Sequence, residues 1–269
     1  MRIGEVPLGE GAPLVLIAGL NVVESEDATL EAAGIVREVA KRHGMPAIFK
    51  ASVDKANRSS LRSYRGPGFD EGLRVLQRVK SEFGLPVLTD VHEPGQAKPA
   101  AEIADCIQVP AFLCRQTDLL VACAATGRPV NVKKGQFMSP TEMRHAVEKI
   151  REHGSEGVLV TERGTSFGYN ELVVDFRGLV LMREFVPVCF DATHSVQRPG
   201  AGPFASEGDR SMVAPLARAA VAVGIDALFV EAHPAPDEAP CDGPSQLDFE
   251  GLDALLAEVG ALSRARDGG

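Results

Sequence analysis

The sequence is short of several things, and each shortage narrows what the protein can be. Lys and Arg number 28 against 37 Asp and Glu, for a net charge of −9. That balance argues against a general nucleic-acid surface, which depends on cationic excess. No apolar run is long enough to cross a bilayer. The opening residues, MRIGEVPLGEGAP, lack the charged-then-apolar plan of a secretory signal, so a cytoplasmic location is expected. The five cysteines (Cys106, Cys114, Cys123, Cys189, Cys241) contain no C-x-x-C pair. Their odd count fits reduced thiols better than a disulfide frame or a zinc site. Cys106 and Cys189 sit inside apolar runs and read as small buried hydrophobes. There is no low-complexity linker and no charged tail. At 269 residues, 45% of them hydrophobic, the chain can bury a sizeable core, and one domain spanning 1–269 is expected.

What is present is a recurring plan. Short runs rich in β-branched residues appear at 13–20, 46–53, 85–91, 106–112, 129–135, 157–163, 186–194 and 227–234. Each has the length and composition of a buried parallel strand. Segments at helical spacing lie between them, at 28–44, 69–84, 139–154 and 210–224, and a last one closes the chain after Phe249. Ser139 is placed to cap the third of these, with Pro140 in its first turn. Eight strands, roughly thirty residues apart and alternating with helices, predict an α/β fold of the (β/α)8 (TIM) barrel type, whose usual size is about 250 residues. An open doubly wound sheet would favour a G-x-G-x-x-G turn after the first strand. The chain has GLNVVES there instead. The piece GEVPLGEG before the first strand suggests a short hairpin across the barrel bottom.

Barrel enzymes carry their chemistry at the C-terminal ends of the strands. Here those ends are polar or ionisable throughout: Asn21; Lys50 with Lys55, Asn57 and Arg58; Asp90 and His92; Gln108 with Arg115; Lys133 and Lys134; Arg163; His194; Glu231 and His233. Polar residues often mark where a strand stops, but that does not explain the excess of cations. The stretch FKASVDKANRSSLRSYRGPG holds five of them against one acid, Asp54. Lys50, Lys55, Arg58, Lys133 and Arg163 would converge on one mouth, where Lys and Arg donate charge-assisted bonds to phosphate and carboxylate. A phosphate monoester carries only about −1.5 to −2 charges. Five cations therefore imply two anionic substrates, or one with two anionic ends. Arg62 and Arg65 read as surface charges of the same loop.

A second group is Asn21, His194, Glu231 and Asp242. A His, a Glu and an Asp meeting at one point could hold a divalent metal. Asn21 is a weak fourth ligand, and the same residues could instead orient a water by hydrogen bonds.

FKASVDKANRSS, YRGPG, TDVHEP, QVPAFLCRQTDLL, NVKKGQF, TERGTSFGYNELVVDFR, FDATHSVQ and EAHPAPDEAPCDGPSQL together resemble the 3-deoxy-D-manno-octulosonate 8-phosphate synthases, from about IAGLNVVES to SQL. The related 3-deoxy-D-arabino-heptulosonate 7-phosphate synthases typically have K-P-R-T-S where this chain has KANRSS, and the sialic acid synthases share less. The resemblance implies condensation of phosphoenolpyruvate with D-arabinose 5-phosphate in lipopolysaccharide (KDO) biosynthesis, by a cytoplasmic homotetramer. By the family pattern Lys55, Lys133 and Arg163 face phosphoenolpyruvate, with Gln108 and the backbone at Ala111 nearby. Asn57, Arg58 and Ser59 bind the sugar, the last two at its phosphate. Arg115 is the residue family members lend across a subunit interface, and Phe112 shapes the wall between the substrates. Lys50 and Gln197 complete the substrate set. Asp90 binds or polarises, and His194, Glu231 and Asp242 handle water and aldehyde.

The family has two subclasses. Metal-dependent members have Cys where this chain has Asn21, and metal-independent members have Asn, often with a CDGP loop like Cys241 to Pro244. Both markers imply that no metal or other cofactor is required, with a divalent ion as the alternative. The stretch GPFASEGDRSM departs from the glycine-pair loop usual after HSVQRPG and reads as a covering loop. The rival readings are a heptulosonate synthase, a Schiff-base aldolase using Lys133, and a non-catalytic sugar-phosphate binder.

Overall fold

Eight parallel strands close on themselves in chain order: β1 (Val15–Gly19), β2 (Ala47–Lys50), β3 (Val87–Asp90), β4 (Cys106–Val109), β5 (Val130–Lys133), β6 (Val158–Glu162), β7 (Val188–Asp191) and β8 (Ala227–Glu231). They are seen in a computed structural model that describes residues 1–56, 63–200 and 207–267. The helices are α1 (Glu26–Arg42), α2 (Phe69–Phe83), α3 (Pro94–Ile103), α4 (Thr117–Ala124), α5 (Met143–Glu152), α6 (Phe176–Arg183), α7 (Val213–Val223) and α8 (Phe249–Asp267). This is the (β/α)8 barrel expected from the spacing of the apolar runs.

The helices form for local reasons. Ser25 caps α1 by accepting from Ala28 N, acids open the helix and Lys41 and Arg42 end it, as the helix dipole favours. The α1 stripe Ala32, Ala33, Val36, Val39, Ala40 is buried against the sheet. Helix α2 stops at Gly84, which is left-handed at φ +66°. The helix expected from Ser139 starts later. Ser139 and Glu142 do exchange cap bonds, Ser139 N to Glu142 Oε2 at 3.1 Å and Glu142 N to Ser139 Oγ at 3.3 Å. The turn they close is tight, with Met143 N donating to Pro140 O, so α5 begins only at Met143. Helix α3 was hidden in the sequence by Pro94, Gly95 and Pro99, and α4 and α6 by their eight-residue length.

The barrel interior is layered. Val15, Ile17, Ile48, Leu88, Cys106, Leu159, Cys189, Ala227 and Phe229 form one apolar cluster, closed from below by Ile3 and Leu8. Ile3 and Leu8 belong to the expected N-terminal hairpin, whose strands Arg2–Ile3 and Val6–Pro7 pair antiparallel. Cys106 and Cys189 are thus inert core residues, their thiols pushed up by burial. Above this floor lies a neutral polar layer: Asn131 donates to Gln108 at 3.0 Å and Thr161 donates to Asn131 at 2.7 Å. The ionisable residues come last. A separate, larger core joins the outer strand faces to the helices.

Gly19 ends β1 beside the top of β2. A Cβ there would lie 2.1 Å from Lys50 O. Gly19→Ala is expected to push the two strand ends apart and destabilise the protein by roughly 1–3 kcal/mol, the usual cost of overpacking. Urea unfolding of the variant beside the parent chain measures this.

Candidate active site

The strand ends frame a cavity of about 260 Å³. Its lining includes Lys50, Lys55, Asp90, Gln108, Ala111, Phe112, Lys133, Arg163, His194, Gln197 and Asp242, all singled out from the sequence. Asn21 and Glu231 lie buried beside them and are tied in by hydrogen bonds. Arg115 does not line the cavity and is exposed, whereas Phe112, 57% exposed, stands in its wall. Asn57, Arg58 and Ser59 lie outside the described residues, as do Arg62 and part of the expected covering loop. Arg65 pairs with Asp54 at the surface, in keeping with its reading as a loop charge.

Two of the cations that face the cavity, Lys133 and Lys50, are paired directly with a buried acid. Lys133 Nζ donates to Asp191 Oδ2 at 2.6 Å and sits 4.3 Å above the Phe229 ring. Lys50 Nζ donates to Glu231 Oε1 at 2.9 Å and to Asn21 O at 3.1 Å. Burial pulls the Lys50 pKa below the ordinary lysine range, and Glu231 restores only part of it. At Lys55 burial also works to lower the pKa, but the surrounding Glu231, Asp90 and Asp242 outweigh it and raise it. Arg163 Nη2 donates to Gln197, while its buried Nη1 has no partner among the described residues.

Lys134 is placed differently. Adjacent strand residues face opposite ways, and Lys134 Nζ points away from the cavity to Gly135 O, Met138 O and Thr165 Oγ1. It does not add to the charge at the mouth.

His194 is oriented by Asp191. Its ring Nδ1 is 2.8 Å from Asp191 Oδ2, and its backbone N donates to Asp191 Oδ1 at 2.8 Å. Its Nε2 looks across at Glu231 Oε2, 3.7 Å away, and Asp242 Oδ2, 4.0 Å away. Those gaps are too long for direct hydrogen bonds. Asn21 sits at the same point. Its amide nitrogen donates to Glu231 Oε2 and, at 3.0 Å, to Asp242 Oδ2. Its amide oxygen accepts from Cys241 Sγ at 2.6 Å. Burial pushes the Cys241 thiol up to about 12, so it serves as a donor.

Sequence reasoning missed Asp191, which fixes both Lys133 and His194. The signal was available in FDATH, an acid three residues before the His at a strand end. It also passed over Gln136, which lines the cavity with its Oε1 buried and unpartnered. His92 was noted only as a strand end. It holds Asp90 through Nε2 to Oδ2 at 3.2 Å, leaving Asp90 Oδ1 without a partner among the described residues.

The matches to known proteins agree with this geometry. The family model described as DAHP synthetase I family covers residues 2–265. Three 2-dehydro-3-deoxyphosphooctonate aldolases are close relatives. That of Nitratidesulfovibrio vulgaris (strain DP4) is 58% identical over 92% of this chain and 91% of its own. That of Synechococcus sp. is 56% identical over 94% and 89%. That of Trichlorobacter lovleyi is 54% identical over 97% of each. The chain belongs to the DAHP synthetase I family, within its 2-dehydro-3-deoxyphosphooctonate aldolase branch. As a member of that branch it is an enzyme that forms a carbon–carbon bond, and the strand-end residues above are where a family enzyme of this fold works.

The buried carboxylates make this enzyme's site acid-sensitive. Burial would raise the pKa of Asp90, Asp191 and Glu231. Neighbouring cations and hydrogen bonds win: His92, Lys50 and Lys55 hold Asp90 well below the usual carboxylate range. His194 and Lys133 do the same for Asp191, and His194, Lys50, Lys55 and Lys133 for Glu231. Below about pH 4 the unfolded chain takes up protons that these groups refuse in the folded state, so their stabilisation is full above that pH and lost as pH falls. Asp191→Asn is expected to be less stable at pH 7 and to lose stability less steeply below pH 4 than the parent, as read from melts across that range.

Proposed function

We propose that the chain condenses phosphoenolpyruvate with D-arabinose 5-phosphate and water, giving 3-deoxy-D-manno-octulosonate 8-phosphate and phosphate. The observation that carries this reading is the single cavity lined by Lys55, Lys133 and Arg163, with Lys133 held by Asp191 and Arg163 by Gln197. Two phosphorylated reactants repel one another in water. A cationic cavity brings them to contact distance, and positioning of that kind supplies a large share of a rate enhancement. C3 of the enolpyruvate attacks the aldehyde carbon, and the aldehyde oxygen takes a proton. Water adds at C2 to give a hemiketal phosphate. The C2–O bond then breaks, phosphate leaves, and the ketone remains. Cations at the cavity stabilise the charge that develops along this path. The point between His194, Glu231 and Asp242 suits an oriented water, with Asp191 fixing the ring that faces it. Asp90 Oδ1 and Gln136 Oε1 are free acceptors for hydroxyls of the sugar. The Asn57, Arg58 and Ser59 roles at the sugar and its phosphate are carried over from the family pattern.

No divalent metal is required on this reading. His194, Glu231 and Asp242 offer ligand atoms within 4.8 Å of one another, a potential three-ligand set. However, Asn21 presents N–H donors to both carboxylates, and its oxygen is engaged by Cys241. A cation at that point would need lone pairs where the amide presents hydrogens. The amide thus does by hydrogen bonding what a cation does by charge, bridging Glu231 and Asp242.

The product's use in KDO and lipopolysaccharide biosynthesis, a cytoplasmic location and a homotetramer complete the proposal. No helix among the described residues is long and apolar enough to cross a membrane. Phe112, Phe137, Phe167 and Tyr169 are all exposed large hydrophobics in the loops after β4, β5 and β6, a surface that self-association would cover. Arg115, exposed beside them, would then be available to a neighbouring copy. The Schiff-base alternative loses support because Lys133 Nζ is committed to Asp191 at 2.6 Å.

Chelator-treated enzyme is expected to consume phosphoenolpyruvate with arabinose 5-phosphate but not with erythrose 4-phosphate. Silence that Mn²⁺ relieves would overturn the metal-independent reading, and silence throughout would overturn the substrate. Asn21→Cys is expected to take up about one equivalent of divalent metal, because it adds a soft anionic ligand to a retained His, Glu and Asp. Metal content after dialysis is the measurement, and an apo variant would show that the retained set is not a latent site.

A further inference from the structure

Lys134 is a fully buried cation that the chemistry above does not use. Its ammonium donates to Gly135 O at 3.2 Å and Met138 O at 3.3 Å, in the loop after β5, and to Thr165 Oγ1 at 3.1 Å, in the hairpin after β6. Glu162 Oε1 lies 3.5 Å away and also accepts from Arg163 N at 3.0 Å and Gly164 N at 2.6 Å. A further bond, Ser166 N to Gln136 O at 2.9 Å, joins the same two segments. Between them stand Arg163 and Gln136, two of the cavity residues that present a buried polar atom without a partner among the described residues.

A buried ion pair is a poor way to stabilise a fold, since well-packed apolar residues of similar volume do as well or better. What an ammonium supplies and a methyl group does not is several directed donors at once. Here those donors reach two different loops, and the partner carboxylate reaches the backbone of Arg163 itself. We propose that Lys134 and Glu162 are positioning residues, a brace outside the cavity that holds Arg163 in register for the enolpyruvate phosphate, and Gln136 beside it for the sugar, before substrate arrives. The pair acts through those two side chains and touches no reactant. Displacements of about 1 Å at such groups cost on the order of 100-fold in rate, so the brace governs turnover through geometry alone.

The inference rests on the synthase reading. Wild-type enzyme that binds phosphoenolpyruvate without turning it over would sink that reading alone, because calorimetric affinity for phosphoenolpyruvate still tests the brace. Lys134→Met leaves Glu162 as an unpaired buried charge and is expected to lower Tm. Combining it with Glu162→Gln removes that charge and keeps an acceptor for Arg163 N and Gly164 N. Tm should then return close to wild type, while kcat/KM and phosphoenolpyruvate affinity stay down, kcat/KM by about 100-fold. Recovery of activity and affinity together with Tm would overturn the proposal, reducing the pair to a stability element. Thr165→Val, measured alongside, removes one bond at the edge of the network. It is expected to weaken phosphoenolpyruvate binding about fivefold at unchanged Tm, the scale of one hydrogen bond. Unchanged affinity in this variant would overturn the proposal even if the double variant did not fold.

Discussion

The structure turns on charge compensation at the top of the barrel. A chain with a net charge of −9 gathers cations at one mouth, and it does so by seating buried acids directly behind them. Asp191 holds Lys133, Glu231 holds Lys50, and Asp90 stands close enough to influence both Lys50 and Lys55. Without those acids the lysines would repel one another and shed protons on burial. With them, part of that cost is offset: Glu231 works against the lowering of the Lys50 pKa by burial. The acids are themselves kept ionised by the cations, so neither set is stable in its charged form without the other.

The fold places this interdependent set with little freedom. Parallel register aligns Glu231 with Gly19, Asp90 with Gln108 and Lys133 with Thr161, so the strand ends rise to a common level. Side-chain alternation then sorts neighbours in the chain to different tasks. Lys133 enters the cavity and Lys134 leaves it, while Glu162 faces outward and Arg163 inward. Asn21, delivered by the end of β1, is clamped from both sides by Cys241 and by two carboxylates, which fixes the direction of its amide.

Much of this was legible in the sequence, for a physical reason. Buried parallel strands are short, apolar and β-branched, so all eight could be read, and a barrel's chemistry sits where those runs end. The polar residues at 21, 50, 90, 108, 133, 163, 194 and 231 therefore announced the site. Three features went unread. Asp191 looked like an ordinary strand terminator, because its value lies in bonds to Lys133, distant in the chain, and to His194. Lys134 was named only as a strand end, and the sequence did not show that its ammonium turns to the loops after β5 and β6. Helices α3, α4 and α6 were too short or too rich in Pro and Gly to show a period. The cations of the second loop remain a matter of family pattern, since Asn57, Arg58 and Ser59 lie outside the described residues.

The hairpin beneath the barrel has a consequence beyond packing. Ile3 and Leu8 seal the lower end, and the cluster above them is apolar up to Phe229. The charged layer therefore rests on a material that polarises little and opens on the other side to water. Field lines from the site spread poorly downward and emerge mainly through the mouth. A dissolved anion meets there the side chains of Lys50, Lys55, Lys133 and Arg163, although the molecule as a whole repels it. The plug at one end thus acts as a reflector for the other, and helps an acidic enzyme attract acidic substrates.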